Sequence, residues 1–497
     1  KTGIFTPPDL IHFQITTDIH RVYTKLMESH ITQGKYKGLS GIRNGVITYE
    51  LYYTERTIEA LTEFLLQYQL PNDVLDELTV AGSEKPKPLT VSLSEEVSEK
   101  PEVLEETNLP ILDEIAYSLK TNKKRAVFEN TIIIFVLHLL RDLVPFVEKF
   151  NDLGCLYEDM FFLTKTYAYP EREIVERQLR DKGSKIKIPK GTKQSDFFET
   201  AKCLLSEAID QSKKTGKRVL IIEDGGYFVP FFHNEFSVES SRCYGAVEQT
   251  TKGFRRDLAI EEHCFPIISI ANSQLKLYLE APEVAETLQE NIVYVCKKMD
   301  KQIHKCKVLI LGYGNIGEKL AEALGHKGMM VYIYDSDPMK RMKAECARRN
   351  YSDKVLEKKA NLDAYEIIVG TSGETSLVRE DLWSLRHGVI LASGSSERIE
   401  FDLEALDDLA RDTKREGFFT LYHIKKEDKI VKLLCDGEPI NFPLSGGISK
   451  PIIDVVYAEM LWAAAMIRDE SLNSGIMTVP PKMEEEIYRL YKKYYAF

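Results

Sequence analysis

From Ile111 onward the chain alternates short apolar runs with stretches whose apolar residues recur every three or four positions. The first kind fits strands buried on both faces of a parallel sheet, and the second fits amphipathic helices packed against it. "TIIIFVLHLL", "DMFFLTKT", "RVLIIEDGGYF", "AYEIIVGTSG" and "HGVILASGSS" mark strand positions. Helices are predicted at Arg141–Asn151, Arg172–Arg180, Ile452–Ile467 and Pro282–Lys298, the last with its proline in the first turn. This alternation predicts the α/β class. Ligands in such sheets sit beyond the carboxyl ends of strands, so the loops beginning at Glu223, Gly370 and Ala392 are where a site should lie. Before Ile111 the pattern changes. Val46–Tyr53 alternates like a strand and Thr57–Tyr68 is amphipathic, which predicts a small α+β module over residues 1–80. Ala81–Pro110 is rich in Glu, Ser, Pro and Lys and reads as a flexible acidic linker.

"VLILGYGNIGEKLAEALGHKGMMVYIYDSD", Val308–Asp337, shows the strand–helix pattern most sharply. Val308–Leu311 is a short apolar strand, and a G-x-G-x-x-G follows at Gly312, Gly314 and Gly317. Leu320, Ala321 and Leu324 recur at helical spacing, and Met330–Tyr334 reads as a second strand that stops at Asp335. Strand, glycine turn, helix, strand and a spaced acid make the full pattern of a Rossmann-type, doubly wound dinucleotide-binding domain. Gly312 permits the tight turn, Gly314 lets the backbone approach a pyrophosphate, and Gly317 lets helix and strand pack closely. The helix start, with Asn315 and Ile316, offers unpaired N–H groups to the phosphates. Asp335 would accept hydrogen bonds from ribose hydroxyls and repel a 2′-phosphate, so NAD is expected rather than NADP. The competing reading is a βαβ crossover whose glycines serve packing alone.

Composition narrows the rest. A hydrophobic share of 43% beside 29% charged residues describes an ordinary globular protein long enough for several domains. A net charge of −11 argues against nucleic-acid or anionic-membrane partners. The apolar runs are too short to span a bilayer. The scattered cysteines form no C-x-x-C pair and no H-E-x-x-H occurs, so a cytoplasmic protein without a metal site is expected.

Around the glycine turn, from about Arg125 to the C-terminus, the chain resembles one family, the adenosylhomocysteinases (S-adenosylhomocysteine hydrolases). "LHLLRDLVPFVEKFNDLG" is similar to the family's Leu-His segment, "EDGG" to its Asp-Asp-Gly-Gly turn, and "GAVEQTTKG" to its Gly-Ile-Ser-Glu-Glu-Thr-Thr-Thr-Gly run. "ISIANSQLKLYLEA" resembles Asn-Asp-Ser-Val-Thr-Lys-Ser-Lys-Phe-Asp-Asn, "GYGNIG" resembles Gly-Tyr-Gly-Asp-Val-Gly, and "LLCDGEPINF" resembles a late segment whose Asn touches nicotinamide. The resemblance implies a substrate-type α/β domain over 111–280, the NAD-binding domain over 281–450, and C-terminal helices at 451–497 that return to the substrate domain. It also implies a reaction in which NAD oxidises a ribose 3′-hydroxyl and so acidifies the C4′ proton. The 5′ thioether is then eliminated, water adds, and the ketone is reduced again. Carried over residue by residue, it places Lys276 and Glu280 at the hydroxyl and Asp224 and His138 at C4′ and C5′. It places Gln249 on the substrate ribose, and Thr250, Thr251, Lys252, Thr371, Ser372 and Asn441 beside the cofactor. Read on their own, Lys276 and Glu280 are a surface ion pair, His138 a core histidine and Asp224 a turn cap.

The departures from the family also matter. Gln249 replaces a Glu, Ala281 an Asn, Leu140 a Thr and Lys252 a Thr; Glu280 stands for an Asp, and a His is lost near Ser395. The Lys- and Tyr-bearing tail that in the family reaches a neighbouring subunit's NAD is not in this sequence. Three functions stay open: an NAD-dependent enzyme oxidising a sugar or nucleoside hydroxyl on another small-molecule, nucleoside-like substrate; a non-catalytic NAD-binding regulator or scaffold; and a true adenosylhomocysteinase. A homo-oligomer, with dimer as the first expectation, is predicted, with Ile452–Ile467 as a candidate interface helix.

Overall fold

The computed structural model describes residues 107–122, 126–165, 172–189, 194–347, 354–425, 429–441, 444, 447–469 and 471–495, together with the backbone of four strands before them. Its contacts divide the chain into two units, residues 1–103 with 414–419, and residues 104–413 with 420–497. The first unit holds a sheet of order β2-β3-β1-β4, built from β1 (Leu10–Ile15), β2 (Lys37–Arg43), β3 (Val46–Tyr52) and β4 (Leu89–Ser92). β3 is the strand expected at Val46–Tyr53. β4 lies inside the stretch read as linker and pairs parallel to β1, so that stretch is not a plain tether; its Thr90 and Val91 are β-branched and suit a strand. The helix expected at Thr57–Tyr68 lies outside the described residues.

The second unit is α/β, with two largely parallel sheets. The first contains β5 (Thr131–Leu137), β6 (Met160–Thr164), β7 (Lys185–Lys187), β8 (Arg218–Glu223), β9 (Cys243–Glu248), β10 (Pro266–Ser269) and the late strand β19 (Gly475–Thr478), in the order β19-β10-β9-β8-β5-β6-β7. Every residue of β5 is buried. Ile132, Ile134 and Val136 enter one apolar core and Ile133, Phe135 and Leu137 another, so this sheet is covered on both faces. From β5 the chain runs outward through β6 and β7, then returns to the other side of β5 for β8. The strand order therefore reverses between β5 and β8.

The second sheet repeats the manoeuvre. It contains β11 (Lys307–Leu311), β12 (Met330–Tyr334), β13 (Lys354–Val355), β14 (Ile367–Gly370), β15 (Val389–Ser393), β16 (Ala410–Glu416), β17 (Phe419–Ile424) and β18 (Lys429–Leu434). Their order is β13-β12-β11-β14-β15-β18-β17-β16, with the reversal between β11 and β14. A reversal of this kind opens a crevice at the carboxyl ends of the strands.

The helix Lys450–Asp469 corrects one expectation. Most of it is buried, and Val455, Tyr457, Met460, Leu461 and Ile467 lie in the first sheet's own core. It is consumed within the chain and cannot form the subunit interface proposed for Ile452–Ile467. Its Asp454 accepts the N–H groups of Ile111 (2.9 Å) and Leu112 (2.8 Å), at the start of the helix Pro110–Asn122. No helix among the described residues is long and apolar enough to cross a membrane.

Candidate functional site

The loops after β11 and β14 form the cofactor half of the site. Gly312 has φ +106°, and a Cβ there would lie 2.7 Å from the Ser372 nitrogen. A Cβ on Gly317 would lie 2.0 Å from the Gly312 oxygen and 2.7 Å from Thr371 Oγ1. These two glycines are required by packing. A Cβ on Gly314 would meet nothing within 4 Å, which packing alone leaves unexplained. Gly314 caps the helix Asn315–His326, so the open space lies where that helix can offer N–H groups to a pyrophosphate. Asp335 is buried at the end of β12, accepts from the Tyr313 (2.7 Å) and Asp337 (2.8 Å) amides, and has Lys340 Nζ at 3.6 Å. Thr371 donates to the Gly312 oxygen at 2.9 Å. Buried Glu400 fixes the Ser372 hydroxyl (2.8 Å) and the Gly373 amide (2.7 Å).

The loops after β5 and β8 form the other half. Glu223, not Asp224, caps the turn: its carboxylate accepts from the Tyr227 (2.7 Å), Phe228 (2.8 Å) and Val229 (3.2 Å) amides. Asp224 is thereby free for other partners. Its Oδ2 lies 3.1 Å from His138 Nε2 and accepts from Gln249 Nε2 at 2.8 Å, while Oδ1 lies 3.3 Å from Lys165 Nζ. Burial alone would raise the Asp224 carboxyl, but Lys165, His138 and Gln249 hold it well below the usual range. Glu248 accepts from the Gly226 (2.8 Å) and Thr250 (2.6 Å) amides and so ties the EDGG turn to the start of the helix Thr251–Leu258.

Lys276 and Glu280 occupy a turn one residue wider than an α-helical one, with Nζ 2.9 Å from Oε2. Lys276 is only 9% exposed, so this is not the surface ion pair that spacing alone suggests.

One cleft of about 890 Å³ runs between the two halves. Its lining includes His138, Asp224, Gln249, Thr250, Thr251, Lys252, Lys276 and Glu280 from the first half. From the second come Gly312, Gly314, Asn315, Ile316, Asp335, Thr371, Ser372 and Asn441, while Gly317 sits behind the turn. Ala281, Leu140 and Ser395, the departures noted above, line it as well.

Sequence reasoning missed Lys165 and Glu397. Glu397, in the loop after β15, accepts from Lys252 Nζ and the Tyr227 hydroxyl and has Arg256 at 3.9 Å. Lys252, which the resemblance placed beside the cofactor, thus directs its ammonium to Glu397. Burial lowers the Lys252 ammonium although Glu397 opposes the shift. Both missed residues follow the carboxyl end of an apolar strand, a signal that could have found them.

Residues 287–447 match the family described as S-adenosyl-L-homocysteine hydrolase, NAD binding domain. The chain is 22% identical over 391 residues to an adenosylhomocysteinase of Sulfurisphaera tokodaii, covering 78% of this chain and 88% of that one. It is 22% identical over 388 residues to an adenosylhomocysteinase of Thermotoga maritima, covering 77% and 91%. It is also 23% identical over 329 residues to an S-inosyl-L-homocysteine hydrolase of Methanopyrus kandleri, covering 64% and 73%. With the glycine turn, the spaced acid and the shared cleft, these likenesses make NAD the cofactor and make the chain similar to the adenosylhomocysteinases over most of its length.

Proposed function

We propose that the chain hydrolyses the thioether bond of a nucleosyl homocysteine, with S-adenosylhomocysteine the first substrate to test. The observation that carries this is the convergence of two proton-handling pairs, Lys276–Glu280 and His138–Asp224, on the cleft that holds the glycine turn. The relatives' names favour this reading over oxidation of an unrelated sugar or nucleoside. NAD, held by the Gly312–Gly317 turn and Asp335, would supply a hydride acceptor for the carbon bearing the hydroxyl and a donor for its return. Lys276 Nζ accepts the hydroxyl proton, with Glu280 Oε2 2.9 Å away to balance the charge. The His138–Asp224 pair handles the second proton. Gln249 does not abolish ribose binding: its amide N–H₂ faces Asp224, which leaves the amide oxygen to accept from a substrate hydroxyl. The chemistry requires that the cleft keep water from the ketone intermediate.

The test is release of homocysteine, read with a thiol reagent, from S-adenosyl- and S-inosylhomocysteine. Lys276→Met keeps most of the side chain's bulk and removes the base. Its turnover is expected to fall about a hundredfold to ten-thousandfold, the usual share of a positioned acid or base, with NAD binding retained. Equal silence from wild type and variant on both substrates would sink the proposal and leave the regulator reading. Turnover that persists in the variant would place the hydroxyl base elsewhere.

A further inference from the structure

Lys165 lies at the end of β6, is 3% exposed, and does not line the cleft. Its Nζ donates to the Asp224 main-chain oxygen at 2.8 Å and lies 3.3 Å from Oδ1. It also stands 4.9 Å from the centre of the Tyr227 ring, whose hydroxyl is bound to Glu397. An ammonium has three donors and no acceptor, so its contact with Oδ1 requires that carboxylate oxygen to accept. The other oxygen is already taken by the Gln249 amide, and His138 Nε2 approaches it at 3.1 Å. A proton added to Asp224 would displace one of these donors and leave a buried ammonium without its nearest counter-charge, a costly arrangement.

We infer that Lys165 makes Asp224 a fixed anion, so that His138 alone carries the proton on the elimination side of the cleft and both Asp224 and Lys165 are positioning residues. The inference rests on the reading of the site given above and assigns roles within it. As the C–S bond breaks, His138 takes the proton from the carbon beside the ketone, and the C–H electron pair becomes the new C=C bond. The departing sulfur keeps the C–S pair and receives that proton from the imidazolium. Asp224 balances the transient imidazolium charge throughout. Among the described residues, the charged and titratable groups around Asp224 and Lys165 include His138 at the end of β5, Tyr227 in the turn after Asp224, Glu397 from the loop after β15, and Glu438 after β18, a carboxyl that burial raises and whose charge Lys165 favours; Lys252 and Arg256 of the helix Thr251–Leu258 reach Glu397.

The carboxyl carbon of Asp224 can be read directly in NAD-loaded, full-length protein labelled with [4-¹³C]aspartate, its signal being the one missing from Asp224→Asn. In the wild type that signal is expected at its ionised position, unmoved from pH 5 to pH 8. In Lys165→Met it is expected to titrate within this window. A wild-type signal that titrates between pH 5 and 8, or a Lys165→Met signal as immobile as wild type, overturns the inference. Neither measurement needs turnover, so it can fail or succeed independently of the substrate. Should Lys165→Met not fold, Lys165→Gln, which keeps a donor but not the charge, is read in the same way with the same two outcomes. With a substrate in hand, Lys165→Met is expected to keep hydroxyl oxidation, seen as NADH absorbance, while thiol release falls at least tenfold. An equal loss of both steps would mean that Lys165 serves the whole site structurally, and would also overturn the inference.

Discussion

Glu459, on the helix Lys450–Asp469, is fully buried; its Oε2 accepts the Ser273 hydroxyl at 3.1 Å and its Oε1 has no partner among the described residues. Ser273 Oγ in turn accepts the Lys276 amide at 3.1 Å, so this carboxyl supports the segment that carries the proposed base. Burial pushes the Glu459 carboxyl up to about 8, against the opposing pull of Ser273 and Lys276. The native state therefore keeps a proton that the unfolded chain releases above its ordinary range near 4.5. A pKa raised on folding contributes stability that is complete below the unfolded value and is lost as pH rises through the folded one. Between about pH 5 and 8 this group should cost about 1.4 kcal/mol of stability per pH unit. Glu459→Gln keeps the shape and an acceptor for Ser273 but cannot ionise. Urea unfolding at pH 6 and pH 8 should show a smaller loss of stability in the variant. Equal losses would assign the slope to another buried acid, such as Asp257, which burial also pushes up to about 8.

At the scale of elements, the glycine turn contains its own control. Gly317→Ala would set a Cβ 2.0 Å from the Gly312 oxygen and force the helix Asn315–His326 off β11. Overpacking of this kind costs about 1–3 kcal/mol, so both apo stability and NAD affinity should fall. Gly314→Ala meets nothing within 4 Å and keeps an ordinary extended conformation, φ −81° and ψ −163°. It should leave the thermal unfolding of apo protein unchanged and weaken NAD at least tenfold, because the methyl group enters the space facing the helix start. Loss of stability in Gly314→Ala, or undiminished NAD binding, would remove that glycine from the pyrophosphate site. This turn was legible in the sequence because strand, glycines, helix and Asp335 all lie within one short segment. The second half of the site was not, because its determinants are distant in the chain. Lys165 stands 59 positions from Asp224, Lys252 145 from Glu397, and Ser273 186 from Glu459. The turn cap that stood as the alternative reading of Asp224 belongs to its neighbour, since Glu223 accepts from the amides of the turn and Asp224 accepts from Gln249. Patterning could place the helix Lys450–Asp469 but not its surroundings, and apolar residues meant for the core were read as an interface.

For the whole molecule, each sheet of the second unit reverses its strand order between two central strands, β5 and β8 or β11 and β14, and both of these reversals feed one cleft. The pairs proposed to handle protons come from one sheet and the glycine turn from the other, so neither sheet holds the whole proposed site. The chain's path between them has a further consequence. β19 pairs with β10 at the edge of the first sheet, yet it follows every strand of the second. The Ile111 and Leu112 amides likewise wait for Asp454, more than 340 positions later. On the ribosome, the first sheet must therefore stand with an open edge and a half-covered core while the second is synthesised. At about 5–20 residues per second the wait is on the order of 10–40 s, long enough for chaperone capture or misassembly. Nascent chains stalled near residue 300 should remain sensitive to protease across β5–β10. Protection should arrive for both sheets together once the helix Lys450–Asp469 and β19 have left the tunnel. Early protection of the 111–280 segment would show that it folds without them. Every residue proposed for catalysis or cofactor binding has been made by Asn441, but the first half of the site gains its supporting core only when the last segment of the chain arrives to close it.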